Sequence, residues 1–125
     1  MKLASTRIVT KDVPVLAKFY EELLQIAPVG TADFVELHTS GAILAISSER
    51  GVKMFNAGAA VAEDNRSIII EFEVADVDAD RARLNSLIKE WVLEPTNQPW
   101  NYRSMLFRDP DGNLINFYTK LPQPK

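Results

Sequence analysis

The stretch that decides the fold is Phe107-Arg108-Asp109-Pro110-Asp111-Gly112-Asn113-Leu114-Ile115-Asn116-Phe117-Tyr118. Apolar runs flank Asp-Pro-Asp-Gly on both sides. In this tetrapeptide, proline presets a turn torsion, the aspartates bond back to the backbone, and glycine accepts a positive φ. The pattern predicts a strand, a tight turn and a returning strand.

The register of this hairpin decides which side chains share a face. If Phe107 pairs with Leu114, Met105 comes opposite Asn116, and Arg103 comes opposite Tyr118. This register predicts that Arg103 lies on the same sheet face as Asn116.

Composition narrows the class of protein. The 125 residues match one ordinary domain, the net charge is −3 without a basic run, and there is no cysteine. A nucleic-acid partner would require a basic patch, and a membrane span would require about 20 apolar residues. We therefore expect a cytoplasmic protein that has neither a nucleic-acid nor a membrane partner.

Periodicity predicts the elements between the termini and the hairpin. Asp12 and Asp76 are the expected helix caps, and Trp91 is expected in the buried stripe of the second helix. The predicted order is a strand over Leu3–Val9, a helix ending near Gln25, strands over Asp33–Thr39 and Ala42–Ser48, a loop over Glu49–Asn65, a strand over Ser67–Val74, and a helix over Val77–Lys89.

The chain repeats its own pattern. An offset of 64 residues places Asp12-Val13 on Asp76-Val77, and Leu23-Leu24 on Leu87-Ile88. Neither half alone covers its apolar sheet face, so the halves should pack side by side. The prediction is a single domain with one module over about 1–49, a linker over about 50–65, and a second module over about 66–120.

The chain resembles the vicinal oxygen chelate superfamily, which includes glyoxalases, bleomycin resistance proteins and extradiol dioxygenases. The resemblance is carried by the hairpin, by Asp12-Val13 followed by Phe19–Leu24, and by Val74-Ala75-Asp76-Val77. It implies an α+β fold in which two βαβββ modules form a cupped mixed β-sheet. It also implies that two chains assemble into a homodimer.

The resemblance further implies where a metal would bind. The four ligand positions of the family fall on Ser5, Ala45, Ile69 and Asn116, of which only Asn116 offers even a weak ligand. A divalent cation needs several oxygen or nitrogen donors. We therefore expect neither metal nor cofactor, although a rearranged site using Glu71 and Glu73 is conceivable.

Strand alternation brings further residues to the face of these four positions, as a mixed apolar and polar pocket would require. Arg7 and Glu71 either recognise a ligand there or form a structural ion pair. Trp100 and Tyr102 either stack on a planar ligand or pack at the pocket mouth or an interface, and His38 is expected at the surface or rim. The expected ligand-binding residues are Ser5, Arg7, Ala45, Ile69, Glu71, Trp100, Tyr102, Arg103 and Asn116.

Three functions are compatible with this pattern. The first is a metal-independent protein that binds a small organic molecule, which the missing ligands favour. The second is a lyase, isomerase or dioxygenase-type enzyme with a rearranged site, in which Glu71, Glu73 or His38 would act as the base. The third is a pseudoenzyme that acts through its dimer surface.

The replaced ligand set makes a direct prediction about metal content. The purified protein should carry no stoichiometric divalent metal, because alanine and isoleucine offer no donor atom. Elemental analysis after dialysis without a chelator measures this. One tightly held zinc, nickel, manganese or iron ion per chain would contradict the prediction.

Overall fold

Two four-stranded mixed β-sheets carry the fold in the computed structural model, which describes residues 1–122. One sheet lies in a unit of residues 1–64 and the other in a unit that begins at Asn65. Each unit runs strand, helix and three strands, so the predicted α+β class with two βαβββ modules is confirmed. Within the described residues, no helix is long and apolar enough to cross a membrane.

The first unit places its first strand beside its last. Its sheet has the order β1-β4-β3-β2, in which β1 runs parallel to β4 and the other neighbours are antiparallel. The elements are β1 (Ser5–Thr10), α1 (Val13–Leu24), β2 (Val29–Gly30), β3 (Phe34–His38), β4 (Ile43–Ser48) and α2 (Glu49–Lys53).

Helix α1 begins and ends where the sequence predicts. The Asp12 carboxylate accepts a hydrogen bond from the Val15 amide at 3.2 Å, which satisfies one otherwise unpaired amide of the first turn. At the other end, Gln25 adopts a left-handed conformation with φ of 56° and donates its backbone N–H to Glu21. The helix buries an apolar stripe of Val13, Leu16, Ala17, Phe19, Tyr20 and Leu23.

Helix α2 corrects the prediction of an unbroken loop over Glu49–Asn65. The Ser48 hydroxyl accepts a hydrogen bond from the Gly51 amide at 3.0 Å and caps the helix. The same hydroxyl donates to Asp33 at 2.9 Å. Five residues are too few to show a helical period, and periodicity alone therefore missed this helix.

The second unit repeats the arrangement. Its sheet has the order β5-β8-β7-β6, with β5 parallel to β8 and the other pairs antiparallel. The elements are β5 (Ile69–Glu73), α3 (Val77–Arg83), β6 (Glu90–Asn97), β7 (Tyr102–Arg108) and β8 (Leu114–Lys120).

Helix α3 starts at its predicted cap but is shorter than predicted. Asp76 accepts a hydrogen bond from the Ala79 amide at 3.1 Å. The helix ends at Arg83, and the chain continues through turns to β6, which the sequence analysis did not identify. Trp91, assigned to the helix from periodicity, lies on β6, where the Arg81 guanidinium stands 3.8 Å from its ring centroid. The apolar residues after Arg83 have helical spacing, but the chain there forms turns and the start of β6, so the prediction of helix to Lys89 was wrong.

The predicted hairpin is confirmed, and one side chain organises its turn. The Asp109 carboxylate accepts hydrogen bonds from the backbone amides of Asp111 and Asn113, both at 2.9 Å, and from the Asn113 side chain at 2.8 Å. Gly112 supplies the positive φ of 86°. Asp109 and Asn113 are both buried, and their side chains are hydrogen-bonded to each other.

The register of the hairpin differs from the prediction by one residue. Phe107 pairs with Ile115, and Arg103 pairs with Thr119. The turn includes Asn113, whose carbonyl accepts from the Asp109 amide at 3.0 Å. Because a shift of one residue exchanges the two faces of a strand, Arg103 lies on the opposite face from the one predicted.

Replacing the turn aspartate should destabilise the fold. Asp109→Ala leaves two backbone amides and one side-chain amide without their acceptor, and we expect a loss of about 2–4 kcal/mol in the free energy of unfolding. Urea denaturation followed by circular dichroism measures it. Asp64→Ala is the matched control, since Asp64 is exposed and has no hydrogen bond or ion pair with residues 1–122. Equal stability of the two variants would contradict this role of Asp109.

Candidate functional site

The second sheet has one apolar face and one mixed face. The apolar face is formed by Met105, Phe107, Ile115 and Phe117, all buried, and helix α3 contacts β6, β7 and β8. The opposite side, which we call the polar face, is defined by the register of the strands. It consists of Ile69, Glu71, Glu73, Tyr102, Ser104, Leu106, Arg108, Leu114, Asn116, Tyr118 and Lys120.

At the centre of the polar face, Glu71 and Asn116 are paired residues on the parallel strands β5 and β8. The Asn116 side-chain nitrogen donates to Glu71 Oε2 at 2.8 Å. This bond orients the amide, because the reverse orientation would set its oxygen against the carboxylate. Asn116 Oδ1 is then buried and has no hydrogen-bond donor among residues 1–122. The pair presents hydrogen-bond acceptors.

An aromatic pair lies beside these acceptors. The rings of Tyr102 and Tyr118 are stacked, with centroids 4.9 Å apart and planes inclined by 6°. Burial raises the pKa of Tyr118 above its usual value, and the Glu73 carboxylate raises it further. The surroundings of the Tyr118 hydroxyl therefore disfavour a second negative charge.

A cavity of about 200 Å³ opens at the other end of the polar face. Ile69 and Leu114, which are paired, supply apolar walls, and Glu71 and Asn116 form the next pair along the same face. The lining residues are Asn65, Arg66, Ser67, Ile68, Ile69, Arg108 and Leu114. Among these, strand alternation predicts only Ile69 and Leu114 on the cavity face, since nothing in periodicity marks the chain entering β5 as a wall.

In the first unit, the predicted residues lie on one face of the first sheet. Arg7 pairs with Ala45 on the parallel strand β4, and Ser5 lies two residues earlier on β1. The Arg7 guanidinium stands 5.6 Å from the Phe34 ring centroid and 5.2 Å from that of Phe55. Such cation–π contacts favour a charged guanidinium beside aromatic rings.

Two of the predicted ligand-binding residues, Arg103 and Trp100, lie away from the polar face. Arg103 makes a two-bonded ion pair with Asp78 of α3, at 2.8 and 2.9 Å, and this pairing holds the pKa of the Asp78 carboxyl below its usual value. The prediction that Arg103 shares a face with Asn116 was therefore wrong. Trp100 lies in the turn before β7 with 62% of its surface exposed.

The remaining titratable candidate is His38, the only histidine. It lies at the end of β3, and its Nε2 is 3.2 Å from Glu36 Oε1 in an exposed position. This agrees with the surface placement expected from the sequence.

The four positions that correspond to family metal ligands do not fit a metal ion. Ala45 and Ile69 have no donor atom, and the Asn116 amide is already oriented by Glu71. Throughout residues 1–122, no group of three or more histidine, aspartate or glutamate side chains is placed to hold a metal ion. Metal independence of the protein stays a prediction.

The family model described as Glyoxalase/Bleomycin resistance protein/Dioxygenase superfamily matches residues 2–117. Comparison with curated proteins finds no match.

Solved structures share the fold. A glyoxalase/bleomycin resistance protein/dioxygenase from Nocardioides is similar with a TM-score of 0.80 and 21% identity, covering 100% of this chain and 87% of that one. A family enzyme from Burkholderia phytofirmans PsJN gives a TM-score of 0.86 at 14% identity, covering 97% and 100%. A protein of unknown function from Agrobacterium tumefaciens gives 0.81 at 25% identity, covering 97% and 95%.

The raised pKa of Tyr118 predicts a pH dependence of stability. The unfolded chain loses the Tyr118 proton first, near its usual value of 10.0. The free energy of unfolding should therefore fall as pH rises from about 10 through the higher pKa of the folded protein. Tyr118→Phe should reduce this loss of stability at high pH, and the ultraviolet titration should lack the tyrosine that ionises above the usual pH. Tyr102→Phe should retain both the loss of stability and that late-ionising tyrosine. Identical titrations of the wild type and Tyr118→Phe would contradict the prediction.

Proposed function

The chain belongs to the glyoxalase/bleomycin resistance protein/dioxygenase superfamily, and from this premise we propose that it binds a small organic molecule without using a metal. The observation that carries the proposal is the buried oxygen of Asn116, which has no donor among residues 1–122 and lies beside Glu71. The polar face of the second sheet, as defined above, is the proposed binding surface.

An acceptor of this kind is costly for the free protein. A buried oxygen without a hydrogen bond destabilises a fold by about 1–3 kcal/mol, and most such atoms in proteins are satisfied. A ligand that donates a hydrogen bond to Asn116 Oδ1 removes this cost on binding. The exposed carboxylate of Glu71 adds a second acceptor next to it.

The cavity provides room for the apolar part of the ligand. Its volume of about 200 Å³ and its apolar walls at Ile68, Ile69 and Leu114 suit a single ring or a short chain. Small-molecule sites characteristically combine such walls with a few convergent polar groups. The tyrosine stack of Tyr102 and Tyr118 offers a further aromatic surface on the same face.

Three of the sequence-predicted ligand contacts lie in the first unit. Ser5, Arg7 and Ala45 stay predicted ligand contacts, as does Trp100, and Arg103 is left out because its guanidinium is engaged by Asp78. The homodimer expected from the family resemblance also stays a prediction. No observation in the described part of the chain favours the enzymatic alternative over binding.

A fragment screen tests the binding function. We expect planar aromatic fragments carrying N–H or O–H groups to shift the backbone amide resonances of Ile69, Glu71, Leu114 and Asn116 in nitrogen-15-labelled protein. Asn116→Leu should weaken their binding about tenfold or more, because it removes the acceptor. The same substitution should leave the free energy of unfolding nearly unchanged or raise it, since it also removes an unsatisfied buried oxygen.

A control separates this effect from a general loss of polarity. Asn56→Leu alters an exposed asparagine of the loop in the first unit, and it should leave fragment binding unchanged. If no fragment of the library shifts these four amides, or if Asn116→Leu binds every fragment as the wild type does, the proposed function is wrong.

A further inference from the structure

Resting on the proposed binding function, we infer that the ligand carries a cationic N–H group, such as an amidinium or ammonium on a planar molecule, and presents it to Glu71 and Asn116. The inference names the chemical class of the ligand. It follows from the hydrogen-bonding character, the charge and the neighbouring surfaces of this pair of residues.

Glu71 and Asn116 together offer hydrogen-bond acceptors to a ligand. The Asn116 amide directs its donor nitrogen to Glu71 Oε2 at 2.8 Å and its buried oxygen away from that bond. Glu71 Oε1 has no hydrogen bond with residues 1–122. Two acceptor oxygens on adjacent strands match a group with two N–H donors, as a planar amidinium has.

The carboxylate of Glu71 places a negative charge beside Asn116. Glu71 and Glu73 lie two residues apart on the same face of β5, and only Glu73 has an ion pair within the described chain, with Lys120 at 3.8 Å. Glu71 therefore carries a carboxylate without a cationic partner among residues 1–122. Burial is the main cause of the raised pKa of Tyr118, and the carboxylates of Glu73 and Glu71 raise it further. A cationic donor is stabilised here by charge-assisted hydrogen bonds, which are about twice as strong as neutral ones.

The neighbouring tyrosines, Tyr102 and Tyr118, also favour a cationic ligand. Tyr118 lies two residues beyond Asn116 on β8, and its ring is stacked on Tyr102. Electron-rich ring faces attract cations within about 6 Å of their centroids. A flat cation bound to Glu71 and Asn116 can therefore also contact the stacked rings of Tyr102 and Tyr118 if it extends along the polar face.

The cavity also contains two arginines, which raises the alternative of an anionic ligand. Arg108 is already engaged: its Nε is 3.0 Å from Glu90, and its terminal nitrogen donates to the Gly112 carbonyl at 2.9 Å. Arg66 is exposed, so holding it in one position would cost side-chain entropy. The acceptors at Glu71 and Asn116 are already oriented by their mutual bond, and the cationic ligand is therefore favoured.

Three probes of similar size and different charge test the inference: benzamidinium, benzamide and benzoate. Each is titrated into the labelled 125-residue protein at neutral pH, and the amide resonances of Glu71, Asn116 and Tyr118 are followed. We expect benzamidinium to bind at least tenfold more tightly than benzamide, and benzoate to bind most weakly. Benzoate or benzamide binding as tightly as benzamidinium would overturn the inference, as would the absence of any shift with benzamidinium.

A charge-neutral substitution then locates the effect. Glu71→Gln keeps the size of the side chain and an acceptor for Asn116, so it should lower the affinity for benzamidinium about tenfold while changing the affinity for benzamide little. Glu21→Gln removes the same charge from the exposed surface of α1 and should change neither. Equal benzamidinium affinity of Glu71→Gln and the wild type would also overturn the inference. The proposed binding function still holds if another fragment shifts the amide resonances of Ile69, Glu71, Leu114 and Asn116 and binds more weakly to Asn116→Leu. A failure of the cationic-ligand inference can therefore be told apart from a failure of the binding function.

Discussion

The hydrogen bonds of the Asp109 carboxylate are the constraint on which the rest of the second unit depends. They draw Asn113 into the turn, and the strand therefore returns one residue later than the apolar pattern alone suggests. Side chains alternate with a period of two, so this single residue decides which faces of β7 and β8 pair. Asn116 consequently pairs with Leu106, while Arg103 lies on the side of α3 and bonds to Asp78.

The same turn also holds the chain that enters the second sheet. The side chain of Asn65 donates to Asn113 Oδ1 at 3.1 Å, and its oxygen accepts from the amides of Ser67 and Ile68 at 3.3 and 3.1 Å. These bonds place the segment before β5 against the hairpin. Asn65 and Ile68 line the cavity, so one polar network supports both the register of the sheet and the wall of the candidate site.

The elements with a side-chain signal of their own could be predicted from the sequence. Asp12 and Asp76 cap the helices as expected, and the turn residues at Asp109 and Gly112 mark the hairpin. The errors arose where a tertiary contact overrides the local pattern. Trp91 has helical spacing but lies on a strand under Arg81.

The candidate site could be predicted only in part, because the sequence gives alternation within a strand but not the pairing between strands. Alternation within β5 and β8 predicts that Ile69, Glu71 and Asn116 share one face, and the strand register agrees. The hydrogen bond between Glu71 and Asn116 required the parallel register, which no local signal encodes. The cavity depends on the path of residues 65–68 before β5, where neither a helical nor a strand period holds.

The unsatisfied oxygen of Asn116 is not a sign of loose packing in the second unit. On the opposite side of the same sheet, the charged groups near α3 are paired: Arg81 bonds to Glu94 at 2.7 Å, and Arg103 bonds to Asp78 at 2.8 Å. The buried side chains of Asp109 and Asn113 in the turn are likewise bonded to each other. Beside these satisfied groups, the buried Asn116 oxygen has no donor among residues 1–122, and it lies next to the Glu71 carboxylate, which has no cationic partner there. Such uneven satisfaction is typical of a surface that recognises another molecule, because the missing donor then comes from the ligand.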